Sequence, residues 1–202
     1  MLAGQRSLFG GGEIVVDGAF SSLRRVRLDP TAWVDHVPGW LGGHELLLDH
    51  LVRTTTWHQP RREMYDRTVD VPRLVAALPQ DGPGHPAIED ARQALARRYA
   101  VEWPHVSLGY YRDGRDSVAW HGDHVAREMD EALVATVSLG EPRRFLLRPT
   151  GGGASVAFSL GWGDLLVMGG SAQRTWQHCV PKVAHAGPRL ALMFRPTWYR
   201  EA

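Results

Sequence analysis

The segment Arg189-Leu190-Ala191-Leu192-Met193-Phe194-Arg195 alternates large apolar side chains with charged, small or flexible ones. Successive side chains of an extended strand point to opposite faces, so Leu190, Leu192 and Phe194 share one face and both arginines share the other. The apolar face predicts contact with a hydrophobic core. We expect the opposite face to line a polar cavity, where a guanidinium requires a carboxylate partner. The alternative for Arg195 is a solvated edge strand, since long charged side chains usually face water.

Six further segments, all beyond residue 103, have the character of short β-strands separated by turn residues. They are His105 to Tyr111, Ala132 to Leu139, Arg144 to Arg148, Ser155 to Leu160, Asp164 to Met168 and Thr175 to Val180. Closely spaced short strands favour a double-sheet β-roll over a parallel α/β sheet. The run Gly151-Gly152-Gly153 is typical of a hairpin connection. The sequence therefore predicts an α+β, β-dominated fold with a jelly-roll core.

The first hundred residues have a different pattern. Asp29-Pro30-Thr31 offers a helix cap and a first-turn proline, which predicts a helix over Thr31 to Trp40. Helices are also predicted at Glu45 to Val52, Val71 to Leu78 and Ile88 to Tyr99, a short strand at Glu13 to Val16, and a functional loop or short strand at Thr54 to Arg67. We expect an N-terminal extension over residues 1–100, packed on a β-roll over residues 101–202, with both parts forming one structural domain.

Composition limits the class of protein. The 202 residues include 44% hydrophobic ones, which is enough for one sizeable core. The net charge of +1 argues against strong nonspecific attraction to polyanions. The chain has no apolar run of membrane-spanning length and does not start like a secretory signal, and its one cysteine, Cys179, fits a reducing compartment. We therefore expect a soluble cytoplasmic protein without a membrane segment, acting as a monomer.

The segment Trp120-His121-Gly122-Asp123 suggests a metal site. His121 and Asp123 point to the same face of an extended strand, and His178, 57 positions further on, supplies a third ligand if two strands lie side by side. Two histidines and one carboxylate form the facial triad of non-haem Fe(II) oxygenases, which leaves coordination positions open. A His-x-Asp sequence also occurs in surface turns, and the apolar neighbours of His178 also suit a core histidine.

Several segments together carry a family resemblance. They are Ser107 to Gly114, Asp116 to Asp123, Thr136 to Gly140, His178 and Arg189 to Arg195. In this order and spacing they resemble the AlkB family of iron- and 2-oxoglutarate-dependent dioxygenases, over residues 100 to 196. Weaker similarity extends upstream through Trp57 and Met64-Tyr65.

The resemblance implies a double-stranded β-helix core that uses Fe(II), 2-oxoglutarate and O2. His121, Asp123 and His178 would bind the iron. Arg189 would pair with the distal carboxylate of 2-oxoglutarate, Tyr111 would donate a hydrogen bond to this co-substrate, and Arg195 would support Asp123 and the iron-side carboxylate.

Two positions depart from the family pattern. The family often has asparagine two residues before the tyrosine and two residues after the first arginine, where this chain has Gly109 and Ala191. Two hydrogen bonds to the co-substrate are therefore expected to be missing, unless Ser107 or other groups replace them.

The resemblance also implies a substrate class. Members oxidise N-alkylated bases in DNA or RNA, and they place a nucleotide-recognition lid in the region of Trp57 and Met64. The implied substrate-binding residues are Tyr65, Trp57, His58, His124 and Met64. Trp57 and Tyr65 are equally compatible with core aromatics, and His124 stands where some relatives have an acidic residue that faces the base. The alternatives are an oxygenase of a protein, lipid or small molecule, and a noncatalytic β-roll binding module.

Overall fold

The computed structural model describes residues 13–64, 67–79, 84–122 and 131–196. Before residue 105 the described strands are β1 (Val15–Val16), β2 (Arg24–Arg27), β3 (Ala32–Val37), β4 (Leu41–Gly42), β5 (Arg61–Met64), β6 (Arg67–Asp70) and β7 (Leu74–Leu78). Those that follow are β8 (His105–Tyr111), β9 (Val118–His121), β10 (Val134–Gly140), β11 (Arg143–Pro149), β12 (Val156–Leu160), β13 (Asp164–Gly170), β14 (Trp176–Val180) and β15 (Arg189–Arg195). The helices are α1 (His44–Thr54), α2 (Pro86–Tyr99) and α3 (Ala172–Thr175).

Two antiparallel sheets pack face to face. The major sheet has seven strands in the order β2-β3-β13-β10-β15-β8-β7, and the minor sheet has four in the order β12-β11-β14-β9. Apolar side chains between the sheets, among them Tyr111, Phe145, Leu166 and Trp176, form one core cluster. This two-layer arrangement is the predicted jelly roll.

A second core cluster covers the other face of the major sheet. Leu190, Leu192 and Phe194 of β15 are fully buried there, together with Leu47 of α1 and Leu95 of α2. Both faces of β15 are therefore covered, as its alternating sequence predicted.

Two of the four predicted helices are confirmed, at α1 and α2, and the two others are wrong. Thr31 to Trp40 contains strand β3, which pairs with β2 and β13. Asp29 does accept hydrogen bonds from the backbone N–H groups of Thr31 and Ala32, but this turn leads into a strand. Capping residues make the same local bonds in turns, so the cap alone does not specify a helix.

The predicted helix over Val71 to Leu78 is replaced by strand β7, at one edge of the major sheet. A short apolar run fits a buried strand as well as a helix by its periodicity. The segment Thr54 to Arg67 contains β5 and the start of β6, which pair as a hairpin with Arg61 opposite Asp70. Strands β2, β3 and β7 show that the first hundred residues contribute directly to the major sheet. None of the helices in the described ranges is both long enough and apolar enough to cross a bilayer.

Candidate active site

Two histidines lie opposite each other on neighbouring strands of the minor sheet. His121 on β9 and His178 on β14 are register partners, and their ring centroids are 4.2 Å apart. Phe145 of β11 stacks on the other side of His178, with centroids 5.2 Å apart. Trp120 points to the opposite face of β9, where the guanidinium of Arg148 lies 4.1 Å from its ring centroid. Strand alternation thus directs His121 inward.

The His121 ring is oriented by its own strand. Its Nδ1 lies 2.8 Å from the carbonyl oxygen of Ala119. Because a carbonyl only accepts, Nδ1 carries a proton, and in the neutral ring Nε2 then has the lone pair that a metal ion requires. Gly122 follows, and a Cβ there would lie 3.1 Å from the carbonyl oxygen of Gln173, so a side chain at this position would press on the backbone near α3.

The two histidines and both arginines of β15 line one cavity of about 570 Å³ between the sheets. Its other lining residues include Tyr111 and Ser107 of β8, Met193 of β15, His58 and Arg73. A cavity of this volume is within the range of small-molecule sites.

Arg189 is a buried cation with unused donors. Its residue is 1% exposed, and its Nη2 donates to Ser138 Oγ at 2.7 Å. Its Nε and Nη1 are buried without a hydrogen-bond partner, and no carboxylate in the described ranges forms an ion pair with it. Burial lowers the pKa of Arg189, an effect that the nearby Tyr111 partly opposes. An anionic ligand in the cavity would satisfy this guanidinium.

Arg195 is also buried, at 8% exposure, and its Nη1 donates to Ser107 Oγ at 2.7 Å. Its strand, β15, lies inside the major sheet between β10 and β8. The solvated-edge alternative is therefore wrong for Arg195.

Two guanidiniums of the cavity lining lie close to Tyr111, and a third, that of Arg143, is 5.8 Å from its ring centroid outside the lining. The Arg189 guanidinium carbon is 5.1 Å from the ring centroid, and Arg73 Nη1 is 3.4 Å from the hydroxyl oxygen. Sequence reasoning missed Arg73. It precedes β7 in an irregular link, and no local pattern marks it as facing the cavity.

Gly109 and Ala191, the two departures from the family pattern, are register partners on β8 and β15. A Cβ at Gly109 would be 3.6 Å from Met193 Cε, an ordinary contact, so apolar groups surround this position. The hydroxyl of Ser107, the replacement that the sequence offers, accepts a hydrogen bond from Arg195.

The substrate-binding candidates differ in position. His58 lines the cavity, and its backbone is bridged to Val75. Trp57 packs on Tyr110, with ring centroids 5.4 Å apart, and on the core cluster beneath α1 and α2. This position agrees with the alternative that Trp57 is a core aromatic residue. Met64 ends β5. Tyr65 and His124 lie outside the described residues, as does the predicted ligand Asp123.

Among the described residues no group of three His, Cys, Asp or Glu side chains could hold a metal ion. The two paired histidines nevertheless provide the imidazole ligands that suit Fe(II). The two described donors are therefore compatible with part of an iron site, and the predicted third ligand, Asp123, is not among the described residues.

Comparisons with known proteins agree with this geometry. The 2OG-Fe(II) oxygenase superfamily profile matches residues 24–195. Human alpha-ketoglutarate-dependent dioxygenase alkB homolog 3 is 28% identical over 185 residues, covering 80% of this chain and 65% of the human protein. The Arabidopsis thaliana DNA oxidative demethylase ALKBH2 is 34% identical over 112 residues, covering 44% of this chain and 36% of its own length. This chain thus spans less than two thirds of these relatives.

Solved structures confirm the fold. OsALKBH1 superposes with a TM-score of 0.58 at 16% identity, covering 86% of this chain and 100% of that one. A prolyl hydroxylase from Trichoplax adhaerens superposes with a TM-score of 0.63 at 14% identity, covering 81% of this chain and 82% of that one. From the extent of the superfamily match we conclude that this chain belongs to the 2OG-Fe(II) oxygenase superfamily, the iron- and 2-oxoglutarate-dependent dioxygenases, and that it is similar to AlkB-like members.

Proposed function

We propose that this protein removes N-linked alkyl groups from nucleobases in DNA or RNA by oxidation. The observation that carries the proposal is a histidine pair and a buried arginine with unused donors in one cavity. When bound, Fe(II) would couple the O2-dependent decarboxylation of 2-oxoglutarate, to succinate and CO2, to hydroxylation of a substrate carbon. A hydroxylated N-methyl group is a hemiaminal, which loses formaldehyde and leaves the unmodified base.

Different residues of the chain would bind the iron and the co-substrate. His121 and His178, with Asp123, hold the iron. Arg189 pairs with the distal carboxylate of 2-oxoglutarate, and Tyr111 donates a hydrogen bond to the co-substrate. Arg195, held by Ser107, supports the iron-side carboxylate. None of these steps requires a nucleophile or a general base from the protein.

The substrate class is supported by the cavity and by the relatives. The cavity extends to His58, three residues before the β5–β6 hairpin, so a base could enter beside that hairpin. A base in a duplex would have to leave the stack to reach the iron. One relative is named a DNA oxidative demethylase, and others are named alkB homologs.

The test is a panel of DNA and RNA oligonucleotides, single- and double-stranded, each with one N-methylated base. Mass spectrometry follows demethylation in the presence of Fe(II), 2-oxoglutarate and O2. We expect demethylation of at least one strand by the wild-type protein, none by His178→Ala, and wild-type activity from His185→Ala, a matched control at an exposed histidine. No demethylation of any strand by a protein that binds Fe(II) and 2-oxoglutarate would contradict the nucleobase proposal and favour another substrate.

We also propose that the protein is a monomer and acts in the cytoplasm. Cys179, the one cysteine, is buried and forms no disulfide, which is consistent with a reducing compartment. Light scattering after size-exclusion chromatography would test the monomer, since a dimer has twice the mass.

A further inference from the structure

The cavity contains a third arginine, Arg73, in addition to Arg189 and Arg195. Arg73 lines it, its Nη1 lies 3.4 Å from the Tyr111 hydroxyl, and its buried Nε has no hydrogen-bond partner among the described residues. Arg189, whose Nε and Nη1 have no hydrogen-bond partner in the described part of the chain, lies against the ring of the same tyrosine. Two guanidiniums and one hydroxyl thus converge at the end of the cavity formed by β7, β8 and β15.

The two cations repel each other. Arg143 and Arg73 both disfavour the protonated form of Arg189, and of these two only Arg73 lines the cavity. No described carboxylate forms an ion pair with Arg73 or Arg189. Buried guanidinium donors without an acceptor are costly, and a carboxylate accepts from several donors at once. An anion beside Tyr111 would therefore relieve the repulsion and satisfy donors on both arginines.

The segment that carries Arg73 is tethered on both sides. The backbone N–H of Val71 donates to the carbonyl of Pro60, which closes the base of the β5–β6 hairpin, and Ser117 N–H donates to the carbonyl of Pro72. From Leu74 onward the chain is fixed in β7 by its pairing with β8. The Arg73 side chain therefore enters the cavity from a fixed backbone.

We propose that Arg73 is a second guanidinium contact for the distal carboxylate of 2-oxoglutarate, beside Arg189 and Tyr111, and that it fixes the preference for a dicarboxylate co-substrate. This role explains how the chain tolerates Gly109 and Ala191, which face each other across β8 and β15 and offer no polar side chain to the co-substrate. The proposal rests on the co-substrate of the superfamily and is independent of the nucleobase substrate.

The test compares two 2-oxo acids in anaerobic binding titrations, with Mn(II) as the metal and no oligonucleotide. One is 2-oxoglutarate, and the other is 2-oxopentanoate, in which a methyl group replaces the distal carboxylate. The variants are Arg73→Gln, Arg73→Lys and the control Arg144→Gln, an exposed arginine on β11. A hydrogen bond between charged groups predicts that Arg73→Gln raises the Kd of 2-oxoglutarate about tenfold.

Three further results are expected if the proposal is right. The Kd of 2-oxopentanoate stays unchanged in Arg73→Gln, Arg73→Lys recovers part of the affinity for 2-oxoglutarate, and Arg144→Gln behaves like wild type. An unchanged Kd for 2-oxoglutarate in Arg73→Gln would overturn the proposal, and so would an equal loss for both acids, which would indicate a structural role. Because no nucleic acid is present, failure here is distinct from failure of the demethylation test.

Discussion

His121 and His178 are 57 positions apart in sequence, and they face each other with ring centroids 4.2 Å apart. The antiparallel pairing of β9 with β14 sets this distance, and Phe145 and the Ala119 carbonyl orient the two rings. The metal proposal depends on this pair, since two imidazoles already held in register lose little conformational entropy on binding a metal ion.

Replacing His178 with alanine is expected to weaken metal binding strongly. Loss of a partner that only orients a ligand typically costs 10- to 100-fold in affinity, so loss of a ligand should cost more than about 100-fold. Mn(II) binding followed by electron paramagnetic resonance measures the effect, with His185→Ala as the control. An affinity within a few-fold of wild type would show that His178 is a packed core histidine.

Arg189→Met is expected to stabilise the protein in the absence of co-substrate and to abolish its response to 2-oxoglutarate. Replacing an uncompensated buried charge with an apolar side chain of similar length should raise the free energy of unfolding by about 1 to 3 kcal/mol. Urea titrations with and without 2-oxoglutarate and Mn(II) measure both effects. Arg144→Met, at an exposed position, should change neither, and a destabilised Arg189→Met that still responds to 2-oxoglutarate would contradict the assigned role.

Trp57 and His58 are adjacent in sequence but should behave differently. Trp57 packs on Tyr110 and the core, so Trp57→Ala should lower the free energy of unfolding by about 2 to 3 kcal/mol, somewhat less than for a fully buried aromatic residue. His58 is exposed and lines the cavity, so His58→Ala should keep wild-type stability and raise KM for the oligonucleotide. The opposite pattern would assign Trp57 to the substrate pocket and His58 to the fold.

His85 should make the start of α2 sensitive to acid. Its Nδ1 accepts a hydrogen bond from the Ala87 N–H, and burial, followed by the nearby His50, lowers the pKa of His85. The unfolded chain, with an ordinary histidine pKa of about 6.5, therefore binds a proton more readily than the folded one. Stability from this group is present above about pH 6.5 and is lost as the pH falls below it.

The variant His85→Asn keeps a capping acceptor that does not titrate in this range. Between pH 7.5 and pH 5.5 the urea midpoint of the wild type should fall more than that of His85→Asn. Other histidines, such as His44, titrate in both proteins and cancel in the comparison. Equal slopes with pH would show that His85 does not contribute.

The sequence was sufficient for features that depend on alternation along one strand. Side chains of β15 alternate between its two faces. This alternation correctly predicted that Arg189 and Arg195 line one cavity. His121 and His178 could share a metal ion only if their strands were neighbours. The fold shows that they are, and the sequence alone did not. Nothing in the sequence specified which strands of the sheets would be neighbours.

Other features depend on tertiary context. The Asp29 turn makes the bonds of a helix cap, yet β3 forms because it fills a place between β2 and β13. The position of Arg73 also depends on tertiary context, because its side chain reaches Tyr111 of β8 only after β7 has paired with β8. A residue in an irregular segment has no periodicity that could indicate its direction.

The most direct test of the central claim is the stoichiometry of one reaction. A strand with a single N-methylated base, chosen from the panel, is incubated with protein, Fe(II), 2-oxoglutarate and O2, and succinate, formaldehyde and unmodified base are quantified together. We predict equal amounts of the three products above the background without strand, and no product without 2-oxoglutarate. Succinate formation at the same rate with and without the strand, while the methylated base stays intact, would contradict the account.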